Sequence, residues 1–428
     1  MNRIVSAPTG RRSLVAYVSA YTVSMLGDRF AELALPLVVL ATTHDPAAAG
    51  AVGASIQAPS LLLALWLGGR VDRHSRRALM LSADLLRAGC FAVFTWLAAS
   101  HISVVWPYIV VGLAVGCGNV LFAIAGSAIL PEIVRGQRLV RANAMTEAGD
   151  ALTTVTGPAV AGAVIGRFSA AVALAADAVT FLLSALLLLG VRSPARRRPD
   201  PDAERRDWGA RAAGPGETAD APPSGLARPL RTVFRDPTQR AVQVALTTLS
   251  AHGAAVVLAL IVLAGSDLHL STFRLGLVLG AAGIGGLLAS LLAAKWTEPF
   301  GSLRGIGLML WLSAGFVLVL AAAQGFWWAL IANGFVDGAI TAGFIATATV
   351  RQQHTPLALL GRVTAASTVC NAIARVVGVA GVGLLLKTFG ARPALGVDAV
   401  LLAAAALYLT TQTASREPTR EDDHDADS

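Results

Sequence analysis

The sequence predicts an all-α polytopic membrane protein, with twelve transmembrane helices in two pseudo-symmetric six-helix bundles. Three observations carry this. The 428 residues are 55% hydrophobic and only 14% charged, with a mean hydropathy of +0.64. A soluble domain averages roughly 25% charged residues, so lipid rather than water must solvate the outside. Apolar runs of the length that crosses a bilayer, about 20 residues, occur twelve times. Finally, two stretches of the chain repeat each other at a fixed offset.

In order, the predicted spans cover 14–41, 48–69, 78–100, 104–130, 142–167, 170–190, 240–265, 273–294, 303–324, 326–350, 363–388 and 391–412. Residues 1–13 are basic and precede an apolar run too long for a signal-peptide core, so they read as a retained cytoplasmic tail. The first bundle occupies 14–191. Residues 192–239, with Arg196-Arg197-Arg198, several prolines and mixed acids, read as a mostly disordered cytoplasmic linker, in which Pro229–Gln239 is expected to form a short surface helix. The second bundle occupies 240–412, and 413–428 forms an acidic cytoplasmic tail.

Loop arginines orient the chain. Arg3, Arg11 and Arg12 lie in the first tail, Arg70, Arg73, Arg76 and Arg77 between spans 2 and 3, Arg135, Arg138 and Arg141 between spans 4 and 5, and Arg351 and Arg362 between spans 10 and 11. The opposite loops, 42–47 and 100–103, carry no Arg or Lys, while Arg167, Arg274, Lys387 and Arg392 dissent. Both termini are therefore expected in the cytoplasm, with the protein in the plasma or inner membrane.

The repeat is explicit. Asp177 matches Asp398, and the same offset of 221 matches Gly157 with Gly378, Gly162 with Gly383, Phe168 with Phe389 and Arg141 with Arg362. Between 139–179 and 360–400, 15 of 41 gapless pairs are identical. Alanine richness inflates that figure, but Asp, Arg, Phe and two Gly in register do not follow from composition.

Several function classes drop out. The net charge of +8 comes from short arginine clusters without aromatic interleaving, so no nucleic-acid partner is expected. Lys295 and Lys387 are the only lysines and neither follows a glycine, which excludes a G-x-x-x-x-G-K-[ST] nucleotide loop. Cys90, Cys117 and Cys370 fall in apolar runs, with spacings that fit neither disulfides nor a metal site. No cofactor, metal or enzymatic activity is expected.

Residues 68–77 have the form G-x-x-x-D-R-x-x-R-R. This resembles the signature loop between helices 2 and 3 of the major facilitator superfamily, and parallel halves of six helices are that superfamily's repeat pattern. The resemblance implies a monomeric secondary carrier working by alternating access. It also implies a cytoplasmic gate of Gly68, Asp72, Arg73, Arg76 and Arg77, with Asp72 docking where span 11 begins, near Gly361, Arg362 and Val363. A helix N-terminus stabilises such a carboxylate by about 0.3–1 kcal/mol, and Arg362 offers a charge partner.

Candidate coupling and substrate residues follow from depth. Asp28 lies mid-span, where an ionised carboxylate must find a partner or hold a proton. Glu32 shares its face, and Arg29 is spaced to pair with Glu32. Asp84 and Arg87 are spaced as a structural pair near the cytoplasmic end of span 3. Glu147 and Asp150 are read at the start of span 5, where the dipole favours acids. The resemblance implies that Asp337 on span 10 faces the cavity, since spans 1, 4, 7 and 10 line the pathway in that superfamily; Arg375 is expected to balance these acids, Asp177 and Asp398 to share a structural role, and His252 to be a hydrogen-bonded ring. In span 5, Gly157, Pro158 and Gly162 serve close helix packing. They resemble the antiporter motif of drug exporters, G-x-x-x-G-P-x-x-G-G, but Thr153 and Ala161 replace two of its glycines. Span 4 also lacks the intramembrane arginine of many proton-coupled drug exporters.

Phe122–Pro131, Ala173–Ser184 and Thr355-Pro356 followed by Gly361-Arg362-Val363 look like the macrolide-efflux and siderophore-exporter branch. The resemblance implies an antiporter that exports drug-like or natural-product molecules against entering protons, as in multidrug resistance. A siderophore- or lipid-type exporter, or an importer, is the alternative within transport. A non-transporting receptor or assembly factor on the same scaffold is the alternative outside it.

Overall fold

The computed structural model describes residues 9–61, 63, 75–134, 137–191, 235–295, 302–355 and 357–414. Among these are twelve helices: α1 (Thr9–Thr43), α2 (Pro46–Gln57), α3 (Arg76–Ala99), α4 (Val105–Ile133), α5 (Gln137–Arg167), α6 (Ala170–Leu189), α7 (Pro237–Ser266), α8 (Thr272–Lys295), α9 (Leu303–Ala321), α10 (Phe326–His354), α11 (Leu357–Phe389) and α12 (Ala391–Ala414). Nine of them are long and apolar enough to cross a bilayer. Outward faces are apolar, with Leu186, Trp327 and Val400 among the most exposed side chains, as lipid-facing positions require. The chain is a multi-pass membrane protein.

Helix starts follow local chemistry. Asp45 and Asp236 each cap a helix whose first residue is proline, accepting from the N–H of Ala47 and Thr238; proline there sacrifices only an N–H that the helix leaves unpaired. Ser169 and Ser302 cap α6 and α9. Ser75 caps α3, accepting from Ala78, so a serine within the signature stretch sets where the third helix begins. Gly390 adopts φ +83° in the turn between α11 and α12, a conformation that costs glycine little.

The packing repeats with a period of six helices. α1 packs on α5 and α6 as α7 packs on α11 and α12; α3 packs on α4 and α6 as α9 packs on α10 and α12; α2 packs on α4 as α8 packs on α10. Two equivalent seams join the halves, α2 with α11 and α5 with α8. Both depend on small residues. A Cβ on Gly276 would lie 2.2 Å from the Pro158 carbonyl oxygen, and one on Gly162 would lie 2.3 Å from that of Thr272. One on Gly50 would lie 2.7 Å from the Val379 carbonyl oxygen. Gly157, by contrast, makes room for Arg29 on α1.

These contacts crowd toward one end of the molecule, which also carries the turns between α1 and α2, α5 and α6, α7 and α8, and α11 and α12. The four dissenting cations are found here, each with a local partner. Lys387 donates to Asp45 at 2.7 Å across the α2–α11 seam, and Arg392 binds Asp267 and the carbonyls of Ala321 and Ala323. Arg274 lies over the Phe326 ring and Arg167 over that of Phe168. Turn-fixing contacts explain why cations stand where loop charge alone predicts none.

The Lys387 hydrogen bond holds the Asp45 carboxyl below the ordinary aspartate range, against partial desolvation and with help from the Ala47 N–H. A depressed carboxylate stabilises the fold above its unfolded value, and that stabilisation is lost as pH falls through the folded value. Asp45→Asn should therefore lower thermal stability slightly at neutral pH, by the ~0.2–1 kcal/mol of an exposed pair. The gap to wild type should close on acidification below the ordinary aspartate range. A gap independent of pH would show that the pair contributes through shape alone.

Several expectations need correction. α5 begins at Gln137, so Glu147 and Asp150 lie well inside it, not at its N-terminus; the polar first turns with Arg138 and Arg141 extend the helix beyond its apolar stretch. α11 begins at Leu357, which places Arg362 in its second turn. Arg351 is not in a loop but is buried within α10. Pro237–Gln239 belong to α7 rather than to a separate surface helix. Gly68, Asp72 and Arg73, the Arg362 side chain and most of the linker lie outside the described residues.

Candidate functional site

A cavity of about 860 Å³ lies between the halves, lined by α1, α2, α3, α4, α7, α10 and α11. Most of its wall is apolar, with Phe91, Val115, Leu246, Val257 and Phe344 contributing. Its ionisable lining is confined to Asp28, Arg29, Glu32, Arg351 and Arg375 among the described residues. It reaches Gln352, an exposed residue within a turn of the end of α10, and so runs toward the end opposite the seams.

The first-half wall rests on Arg87. This α3 side chain is 1% exposed. Its guanidinium pairs with Asp84, donates to Ser24 at 2.8 Å and to Asn119 at 3.4 Å, and reaches Asp28 at 3.5 Å. The rings of Phe122 and Phe181 flank it at 4.4 and 4.3 Å. Asp84 in turn accepts from Ser184 at 2.6 Å. The cluster thus ties α1, α3, α4 and α6 together, and it satisfies a cation and a carboxylate that are prohibitively costly alone at depth. The Asp84–Arg87 pairing is joined by a partner that helix spacing does not reveal, because Asp28 arrives from α1.

Asp28 differs from Asp84 in one respect: its side chain is 32% exposed, on the cavity wall. It therefore joins the buried cluster to the cavity. Arg29 pairs with Glu32 and Asp150, both at 3.2 Å, bringing together three of the residues singled out in the sequence. Asp337 does not face the large cavity. It lines a separate space of about 100 Å³ with Arg29, Glu32 and Pro158. Arg375 lines the large cavity yet forms no ion pair with these acids among the described residues.

Of the arginines expected in the gate, Arg76 binds the Ala128 carbonyl and Glu132 at 2.7 and 2.8 Å, and Arg77 binds the carbonyls of Leu188 and Leu189. Both anchor the start of α3 to its own half. The matched aspartates have different surroundings. Asp398 pairs with His252 across α7 and α12. Asp177 is wholly buried against Gly27, with Thr180 on one oxygen and no partner for the other among the described residues.

The second half contains a hub that the sequence did not reveal. Gln243 on α7 donates to Asn371 at 3.1 Å and accepts from Ser367 and from Arg351, the latter at 3.1 Å. Uncharged amides and hydroxyls in apolar helices carry no spacing signal, and the position of Arg351 near a span end reads in the sequence as a topology signal.

Residues 17–264 and 244–426 match the family model described as Major Facilitator Superfamily. Macrolide efflux protein A of Enterococcus faecalis is 26% identical over 128 residues, which span 30% of this chain and 40% of that protein. The match thus covers less than half of that relative's length. Similar solved structures include a bacterial homologue of the human lysosomal transporter Spinster, inward-facing and occupied (TM-score 0.74, 16% identity, 96% of this chain and 98% of that one). A bacterial homologue of the iron transporter ferroportin, in an inward-facing state, has TM-score 0.71 at 15% identity, over 94% of this chain and 99% of that one. The nucleoside transporter NupG has TM-score 0.74 at 11% identity, over 94% and 99%.

Proposed function

The chain belongs to the major facilitator superfamily, and on that premise we propose that it is a proton-coupled exporter of amphipathic small molecules, working by alternating access. The observation that carries this reading is Asp28: a mid-helix carboxylate on the wall of the large cavity, in contact with a buried arginine. A group so placed meets both water and a switchable charge partner, as a coupling proton requires. The largely apolar lining suits drug-like or natural-product cargo, and the relation to a macrolide efflux protein supports export.

With the arginine-bearing loops in the cytoplasm, the cavity faces inward and the glycine seams, with Asp45–Lys387, close the outside. Asp72 would latch the cytoplasmic side against α11 and Arg362 in the opposite state. One copy supplies both walls of the cavity, which supports a monomer in the plasma or inner membrane. Inside-out vesicles bearing the chain and acidified in the lumen should accumulate at least one member of a panel of amphipathic small molecules, basic, neutral and acidic, and an uncoupler should abolish this. Equal accumulation in vesicles lacking the chain, across the panel, would reject the proposal.

A further inference from the structure

The two walls of the large cavity are charged differently. On α1, each ionised group has a partner: Asp28 faces Arg87, and Arg29 is shared by Glu32 and Asp150. On α10 and α11, the two cavity guanidiniums have no carboxylate among the described residues. Arg351 is 8% exposed; it spends one nitrogen on the neutral Gln243, and its Nε has no partner among the described residues. Arg375 lies near the middle of α11, about as deep as Asp28 lies in α1, and has no hydrogen bond among the described residues.

Between the two arginines, Thr364, Ser367, Thr368 and Asn371 follow α11 at helical spacing along the same wall. The cationic character of the stripe belongs to the second half alone: the repeat matches Arg375 with Thr154, and Thr368 and Asn371 with the acids Glu147 and Asp150. A guanidinium at this depth is retained where it faces a water-filled path or a partner. Its planar fork suits a carboxylate or phosphate held by two parallel hydrogen bonds.

We infer that the cargo is an amphipathic organic oxyanion, whose carboxylate or phosphate seats on Arg375 after passing Arg351 along the α11 stripe, with its apolar body against the opposite wall. This rests on the proposed reading of the cavity as a cargo site, and it adds the charge of the cargo.

The test is equilibrium binding to the full chain in nanodiscs, using a dansylated long-chain carboxylate, its methyl ester, the matched amine and the matched alkyl phosphate. The carboxylate or the phosphate should bind at least roughly tenfold tighter than ester and amine, the range of one charge-assisted contact. A preference for the phosphate alone would place the source among lipid-like phosphates; a preference for the carboxylate would place it among soluble amphiphiles.

Arg375→Gln should erase the preference and Arg375→Lys should keep it. Arg375→Glu should invert it toward the amine, an outcome that a merely misfolded variant does not give. Binding that ignores charge, or a preference that survives Arg375→Gln and Arg375→Glu, overturns the inference. Proton-driven accumulation is read separately in vesicles. Its failure alongside an intact oxyanion preference would reject the coupling and leave the cargo charge standing.

Discussion

Arg87→Met should destabilise the protein by about 3–5 kcal/mol, the cost of stripping a buried carboxylate of its cation. Asp84 is wholly buried, and Ser184 and Ser24 give its carboxylate hydroxyl donors but no charge. The same change empties the space between Phe122 and Phe181 of its guanidinium. Thermal unfolding in detergent reads the loss directly. Adding Asp84→Leu to Arg87→Met should recover a large part of it, because removing both charges leaves none unpaired. Methionine at 87 with wild-type stability would mean that Asp84 is neutral in the folded protein and that the cluster holds no ion pair.

That cluster also marks how far the sequence could be read. Asp84 and Arg87 are three residues apart on one helix, so their pairing follows from helix geometry. The contact from Arg87 to Asp28 joins residues 59 apart in the chain, and only the packing of α1 against α3 decides it. Helix limits divide in the same way. The span read at 170–190 is found at Ala170–Leu189, since Ser169 caps one end and the apolar run stops at the other.

α1, α5 and α11 are longer than their apolar runs. Polar residues continue a helix into water after the hydropathy has fallen, so hydropathy underestimates these three. The twofold pattern was legible because matched aspartates, glycines and arginines mark it. The Gln243 hub was not, because amides and hydroxyls choose partners only after the helices have met. The surroundings of Arg375 are likewise a tertiary fact: its charge and depth are readable in the sequence, and its having no partner among the described residues is not.

Asp28→Asn should separate binding from coupling. Asparagine keeps the size of the side chain and a carbonyl for Arg87, but it cannot exchange a proton. Across a pH difference of about one unit, each exchanged proton supplies about 1.4 kcal/mol, enough for about tenfold accumulation of a cargo moved one-for-one. The variant should therefore equilibrate cargo across inside-out vesicles, with an accumulation ratio near unity, while still exchanging labelled for unlabelled cargo. Asp28→Glu, which keeps the titratable group, should retain part of the accumulation. Arg87 gives the change a structural consequence: when Asp28 is neutral, the guanidinium keeps Asp84 as its only charge partner among the described residues. Protonation thereby loosens the tie between α1 and α3 at the cavity wall. If Asp28→Asn vesicles accumulate cargo against the same gradient as wild type, the coupling proton binds elsewhere. The first place to look would then be the small space shared by Asp337, Glu32 and Arg29.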